Sequence, residues 1–244
     1  MQSNTEELSH CPPKLLIIGG PPRCGKSTLA QNTATTHGVS AVSGDALRRV
    51  LASSGIGFLP IDPNTWAVNT DGFIHACKDR DSKVANACRV YAEQFLADYR
   101  SIVVEGCLWA DDLDQFALPI RPRNGTDLLI QPEVLALHLF NNAPLEAEQE
   151  RLHAQCKEDL TSWLNRYTTK QLDGFAIANR ARGLKMTEVA RDRGAISLES
   201  ELSIIEILHD KRSCLQVFID AAELRDGISE MHYLANKLIS HFFA

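Results

Sequence analysis

Residues 20–27 read GPPRCGKS, and this octet decides the fold. It fits the pattern G-x-x-x-x-G-K-[ST] of phosphate-binding loops. An apolar run, LLII at residues 15–18, precedes the octet, and a plausible helix start, TLAQ at residues 28–31, follows it. Because such a loop joins a strand to a helix, the sequence around the octet predicts a site for the phosphates of a nucleotide.

Each residue type in the octet has a physical task. Glycines let the backbone wrap closely around an anion, with its N–H groups pointing inward, and the N-terminus of the next helix adds partial positive charge. We expect Lys26 to reach the β- and γ-phosphates and the Ser27 hydroxyl to coordinate Mg²⁺. The full set predicted to bind the nucleotide is Gly20, Arg23, Cys24, Gly25, Lys26, Ser27 and Thr28.

The composition is that of an ordinary globular protein. The chain has 244 residues, of which 44% are hydrophobic and 23% are charged, and its net charge is −6. This charge argues against a broad nucleic-acid surface. No apolar stretch approaches the roughly 20 residues of a membrane span. We therefore expect a cytoplasmic protein with a flexible arm at residues 1–13 and one domain at residues 14–244.

Seven cysteines, an odd number without any C-x-x-C spacing, argue against a disulfide framework or a zinc site. Cys24 lies inside the predicted loop, beside Lys26 and a helix N-terminus, where a thiolate would be stabilised. It is either a tolerated filler at a variable position of the motif or a thiol whose oxidation blocks nucleotide binding.

Strand and helix patterns alternate along the chain. Apolar runs predict strands at 14–19, 102–104 and 134–140, and weaker candidates lie at 39–43, 195–198 and 214–219. Helical patterns cover 26–36, 45–52, 82–98, 144–160, 161–172, 174–193 and 228–243, with Ser82 as a possible cap. The alternation predicts a three-layer α/β/α fold of the P-loop NTPase type with a mainly parallel, five-stranded sheet.

Two segments interrupt this regular alternation. Residues 53–81 carry scattered Gly, Pro and aromatic residues, which indicates either an irregular loop or short helices that cap the sheet. The segment forms either a wall on the acceptor side of the site or a plain surface excursion. Residues 161–193 are helical and rich in Arg and Lys, which suits a lid that closes over phosphates. Arg180 and Arg182 are the lid residues that we expect to stabilise charge on the transferring group, and solvated basic helices are the alternative.

Two carboxylates follow predicted strands in the way that the phosphate loop does. Asp45 comes after the strand that ends near Ser43, and Glu105 comes directly after Ile102, Val103 and Val104. If these strands are parallel neighbours, both carboxylates and the loop meet in one cleft. Such a cleft has the parts that phosphoryl transfer requires, namely a phosphate clamp, a metal ligand and a carboxylate for the acceptor.

The role of each carboxylate has a plainer alternative. Asp45 either accepts a proton from the acceptor hydroxyl or is an ordinary helix N-cap. Glu105 either holds a Mg²⁺-bound water or contacts the acceptor, or it faces solvent. Arg48 and Arg49, one turn beyond Asp45, either clamp an anionic acceptor or form a solvated helix face.

Three segments together resemble the P-loop kinase group, which has an adenylate-kinase-like core: GGPPRCGKSTLA at 19–30, SGDALRR at 43–49 and IVVEG at 102–106. They look most similar to the branch of zeta-toxin-like and uncharacterised small-molecule kinases. The resemblance implies ATP and Mg²⁺ as donor and a small-molecule acceptor that is phosphorylated on a hydroxyl or a phosphate. It also implies that Asp45 serves the acceptor and that lid arginines close the donor site.

The motifs of two other classes of nucleotide-binding protein are missing from the sequence. A GTPase should carry N/T-K-x-D, but the nearest strings, NKLI at 236–239 and TKQL at 169–172, lack the Asp. A mechanical ATPase usually shows paired acids after its second motif strand, whereas Glu105 stands alone. We therefore predict a Mg²⁺-dependent phosphotransferase, with a nucleotide-binding ATPase or a regulatory protein without an acceptor as the alternative.

Overall fold

The computed structural model describes residues 11–123, 125, 128–158, 163–208, 210, 212 and 214–244. Most of the predicted N-terminal arm, residues 1–10, lies outside this part of the chain. The strands are β1 Lys14–Gly19, β2 Ser40–Ser43, β3 Ile102–Glu105, β4 Glu133–Phe140, β5 Ile196–Ser197 and β6 Cys214–Asp220. The α-helices are α1 Lys26–His37, α2 Gly44–Ser53, α3 Thr70–Leu96, α4 Leu145–Glu158, α5 Thr169–Asp192, α6 Glu201–Leu208 and α7 Ile228–Phe243.

The strands form one sheet in the order β2-β3-β1-β4-β6-β5, and every neighbouring pair is parallel. The prediction of a mainly parallel α/β sheet is confirmed. The predicted number of five strands is wrong, because the sheet has six. The shortest is the two-residue β5, which lies within the weaker candidate 195–198 and pairs with β6 through Ile196 and Val217. All six candidate runs therefore contribute a strand to the sheet.

Strand β1 shows how the three layers are held together. Its side chains alternate between the two faces, and both faces are buried, as is usual for a parallel sheet. Leu16 and Ile18 pack with residues of α1, α6 and α7 on one face. Leu15 and Ile17 pack with residues of α3 on the other. The sheet is therefore covered on both sides, and a three-layer arrangement results.

Helix α3 is longer than its pattern predicted. It begins at Thr70 rather than at residue 82, after Asn69, whose side chain accepts a hydrogen bond from the Gly72 N–H at 3.0 Å. Ser82 was taken as a possible cap, but it lies inside the helix and its hydroxyl donates to Asp112 at 3.0 Å. Residues 70–81, the last part of the segment that was predicted to be irregular loop or short helices, therefore belong to one long helix.

Helix α5 is continuous, although two helices were predicted on either side of residues 173–174. It starts with a capping box between Thr168 and Gln171. Gly174 was interpreted as a break, but it lies where α5 packs closely on Trp66 and Ala67. In the part of the chain that the structure describes, no helix is both long enough and apolar enough to cross a membrane.

Candidate active site

The phosphate loop and the two predicted carboxylates follow three neighbouring strands. In the sheet register Glu105 lies beside Ile18 of β1 on one side and beside Ser43 of β2 on the other. Helix α2 begins directly against β3, since a Cβ on Gly44 would lie 3.1 Å from the Glu105 carbonyl oxygen. Ligands of open parallel sheets bind at this carboxyl edge. The loop, Glu105 and the start of α2 with Asp45 therefore meet at one edge, as expected.

The loop itself has the tight backbone that its glycines predicted. Gly20 (φ 126°) and Gly25 (φ 74°) lie in the left-handed region, and so does Arg23 (φ 72°), which is uncommon for a residue with a Cβ. A Cβ on Gly20 would clash with the carbonyl oxygen of Leu139. A Cβ on Gly25 would clash with the His232 imidazole. Both glycines are therefore required by close packing as well as by backbone conformation.

Lys26 is buried, and its ammonium donates to the carbonyl oxygen of Pro21 across the loop. This bond joins the two ends of the octet and holds the side chain over the loop. An ammonium has three donors, so two remain for phosphate oxygens. Lys26 thus stands where the motif requires a phosphate-binding charge.

Ser27 and Glu105 place two side-chain oxygen atoms next to each other. The Ser27 hydroxyl donates to Glu105 Oε2 at 3.2 Å, and Glu105 is only 6% exposed, so it does not face solvent. Neighbouring ligands of an octahedral Mg²⁺, each at about 2.1 Å, are about 3 Å apart. Among the described residues no group of three or more His, Cys, Asp or Glu side chains is arranged so that it could hold a metal ion. The pair therefore fits Mg²⁺ that is shared with nucleotide phosphates and water rather than a metal held by protein alone.

Asp45 lies in the first turn of α2, and Ser43 is the N-cap residue. The side chain of Asp45 is 72% exposed and accepts from Arg48 Nε at 3.3 Å. Asp45 is thus not the cap that the alternative interpretation required, although an acid in a first turn also favours a helix. Arg49 is exposed on the same helix.

Arg180 and Arg182, the arginines that were expected to belong to a lid, occupy different surroundings. Arg180 lies beside the loop, where Pro21 and Cys24 line the same small cavity, and its Nε donates to the Ala143 carbonyl at 3.0 Å. Arg182 is 1% exposed and forms an ion pair with Asp81. Burial lowers the pKa of the Arg182 guanidinium, but the Asp81 carboxylate outweighs this effect and the net shift is upward. Arg182 therefore stays charged inside the protein.

Sequence reasoning missed the group around Asp81. We call Asp81, Arg80, Arg182 and Trp109 the Asp81 cluster. Asp81 is 3% exposed, and its two oxygens accept hydrogen bonds from both guanidinium groups and from the Trp109 indole N–H at 3.0 Å. The sequence pattern could have indicated that Asp81 is buried, because Asp81 lies on the same apolar helical stripe as Cys77, Val84 and Cys88. The helix was predicted to begin one residue too late to include it.

A second missed pair supports the back of the loop. Arg151 donates to both oxygens of the buried Glu148, at 2.7 and 2.9 Å, and its Nη1 donates to the Arg23 carbonyl at 3.1 Å. Helix α4 thereby anchors the residue of the loop that has the unusual backbone conformation. The i, i+3 spacing of Glu148 and Arg151 was visible in the sequence, but the partner in the loop was not.

Cys24 is a buried thiol, only 2% exposed. Burial raises its pKa to about 11, against the opposing effects of Lys26 and Arg151. The thiol therefore stays protonated at neutral pH, which favours the interpretation of Cys24 as a filler at a variable position of the motif.

No protein-family model matches the chain, and no curated protein matches it in sequence. Solved structures that resemble it include a gluconokinase from Sinorhizobium meliloti 1021, at 15% identity and a TM-score of 0.43, over 94% of this chain and 93% of that one. Shikimate kinase from Acinetobacter baumannii is similar at 12% identity and a TM-score of 0.39, over 95% of this chain and 96% of that one. Likenesses as distant as these concern the general fold alone.

Proposed function

We propose that the protein is an ATP- and Mg²⁺-dependent phosphotransferase that acts on a small-molecule acceptor. The observation that carries the proposal is the Ser27–Glu105 pair, 3.2 Å apart, beside Lys26 and on the same sheet edge as Asp45. Phosphoryl transfer depends mostly on positioning and on charge stabilisation, so a short list of groups is sufficient for it.

Each residue of the site has a role that follows from the chemistry of its side chain. Lys26 binds the β- and γ-phosphates, and Ser27 and Glu105 hold Mg²⁺ or its water. When bound, Mg²⁺ neutralises charge on the phosphates. Asp45 is exposed at the cleft and accepts the proton of the acceptor hydroxyl as it attacks. Arg180, beside the back of the loop, is the lid arginine in the better position to approach the phosphates.

The test is ADP release from Mg-ATP in the presence of a panel of small hydroxylated and phosphorylated compounds. Lys26→Ala should lower transfer by about two orders of magnitude or more, since it removes a charge that stabilises the transition state. Lys185→Ala, on the exposed face of α5, is the matched control and should leave transfer unchanged. Turnover by Lys26→Ala at the wild-type rate would refute the donor site. Binding of Mg-ATP without stimulation by any compound would favour the alternative without an acceptor.

A further inference from the structure

We propose that the acceptor carries an anionic group, a carboxylate or a phosphate, and that this group binds between Arg80 and Arg182 beside Cys107. That the ligand is the acceptor rests on the proposed function. That an anion binds there rests on the charges and the unused donors of the Asp81 cluster alone.

The first observation is an excess of positive charge. Asp81 is the one carboxylate that pairs with both Arg80 and Arg182 among the described residues. The nearby Asp112 accepts from the Ser82 hydroxyl and forms no ion pair with either guanidinium in the described chain. Two cations thus share one anion in a largely buried setting. An uncompensated buried charge is costly, so the cluster favours a second anion.

The second observation is that hydrogen-bond donors are left over. Arg182 Nε is buried and has no acceptor within the part of the chain that is described. Arg80 uses Nε and Nη2 on Asp81, at 3.2 and 3.1 Å, which leaves Nη1 for another acceptor. An unsatisfied buried donor costs about 1–3 kcal/mol. An anion with two or three oxygens can accept from both guanidinium groups at once.

The third observation is that the cluster meets the cleft. Cys107 is the second residue after Glu105, and its side chain is half-buried. Its thiol contributes to the rise in the pKa of the Arg182 guanidinium. Just before Cys107, the Gly106 N–H donates to the Ile18 carbonyl at 3.1 Å, next to the start of the loop, and two residues after it Trp109 donates to Asp81 at 3.0 Å. Cys107 therefore stands between the phosphate loop and the Asp81 cluster, and solvent reaches it.

This position suits an acceptor better than the clamp that the sequence suggested. Arg48 is tied to Asp45 in an exposed ion pair, and exposed charges bind anions weakly because water screens them. Arg80 and Arg182 act in a partly dry site, where the same charges are stronger. We therefore assign the binding of the acceptor's anionic group to Arg80 on α3 and Arg182 on α5 instead of to α2.

Alkylation of Cys107 measures this charge without knowledge of the substrate. Iodoacetate is an anion and iodoacetamide is its neutral analogue, so their rate ratio at one thiol reports the local potential. Mass spectrometry of peptides resolves each cysteine, and the exposed Cys11 is the internal control. We expect the ratio at Cys107 to be about tenfold higher than at Cys11. In Arg80→Gln the ratio at Cys107 should fall toward that at Cys11.

Protection identifies the kind of anion. Acetate, methyl phosphate and neutral acetamide are each added before iodoacetamide, with Mg-ADP present to occupy Lys26. Acetate or methyl phosphate should slow the alkylation of Cys107, and the more effective of the two indicates a carboxylate or a phosphate. Acetamide should have no effect, and Cys11 should react alike in all three cases.

Several results would overturn the proposal. Equal rate ratios at Cys107 and Cys11, no change in Arg80→Gln, no protection by either anion, or resistance of Cys107 to both reagents would each do so. Arg80→Gln is expected to fold, because Arg80 is partly exposed and Asp81 keeps Arg182, and its melting curve checks this. None of these rate ratios depends on ATP turnover, so failure of the phosphotransferase proposal would be seen separately.

Discussion

Replacing Asp81 by alanine should destabilise the protein more than most single substitutions. The change leaves Arg182, which is 1% exposed, without its carboxylate, and it removes the acceptor of the Trp109 indole. Breaking a buried ion pair from one side costs about 3–5 kcal/mol. In a domain of about this size each kcal/mol shifts the melting temperature by about 2–4 °C. The expected fall is therefore about 6–20 °C.

The assay is urea unfolding together with thermal melting, on Asp81→Ala and two companion variants. Asp79→Ala removes a partly exposed acid two residues earlier on the same helix, where it pairs with Lys83, and should shift the melting temperature little. The double variant Asp81→Ala/Arg182→Met removes both charges and should regain at least about half of the lost free energy. An Asp81→Ala protein as stable as Asp79→Ala, or a double variant no more stable than Asp81→Ala, would refute the reasoning.

Three further predictions concern the loop, the sheet and the acceptor side. Gly25→Ala should lower the melting temperature more than Gly38→Ala, because both have positive φ but only Gly25 faces His232; equal shifts would contradict this. Burial lowers the pKa of His138 from 6.5 to about 4, against a smaller opposing effect of Gln216, so the unfolded chain takes up the proton first. Stability should therefore fall as pH drops from about 6.5 toward 4, by about 2 kcal/mol between pH 7.5 and 5. His138→Asn should flatten that dependence in urea unfolding, and an unchanged slope would contradict the assignment. Asp45→Asn should keep the nucleotide-induced rise in melting temperature yet lose transfer; loss of stability alone would indicate a structural role.

The phosphate loop was predictable because its information is local. Gly20, Gly25, Lys26 and Ser27 lie within eight residues, and each has a task that follows from its own chemistry. The meeting of Glu105 with Ser27 was predictable for a different reason. Parallel strands bring their carboxyl ends to one edge, so two apolar runs that each end in a functional residue predict a shared cleft.

The Asp81 cluster was not predicted, because its partners are far apart in the chain. Trp109 lies 28 residues from Asp81, and Arg182 lies 101 residues from it. A count of the charges at 161–193 ignores partners on other helices, so it did not show that Arg182 pairs with Asp81. The helix break that was predicted at Gly174 is also absent from the continuous α5, because Gly174 packs against Trp66 and Ala67, which are distant in the sequence.

The helical periodicity of apolar residues in α3 and α5 is sufficient to predict the Asp81 cluster. Asp81 shares a stripe with Cys77, Val84 and Cys88, and Arg182 shares one with Ala178 and Met186, which are both buried. A charge on an apolar stripe is tolerable only if an opposite charge meets it in the core. When an acid and a base each lie on the apolar stripe of a different helix, the sequence therefore predicts that they form an ion pair in the core. Arg80 adds a second cation beside the Asp81 carboxylate, and this excess of positive charge is the basis of the proposed anion site.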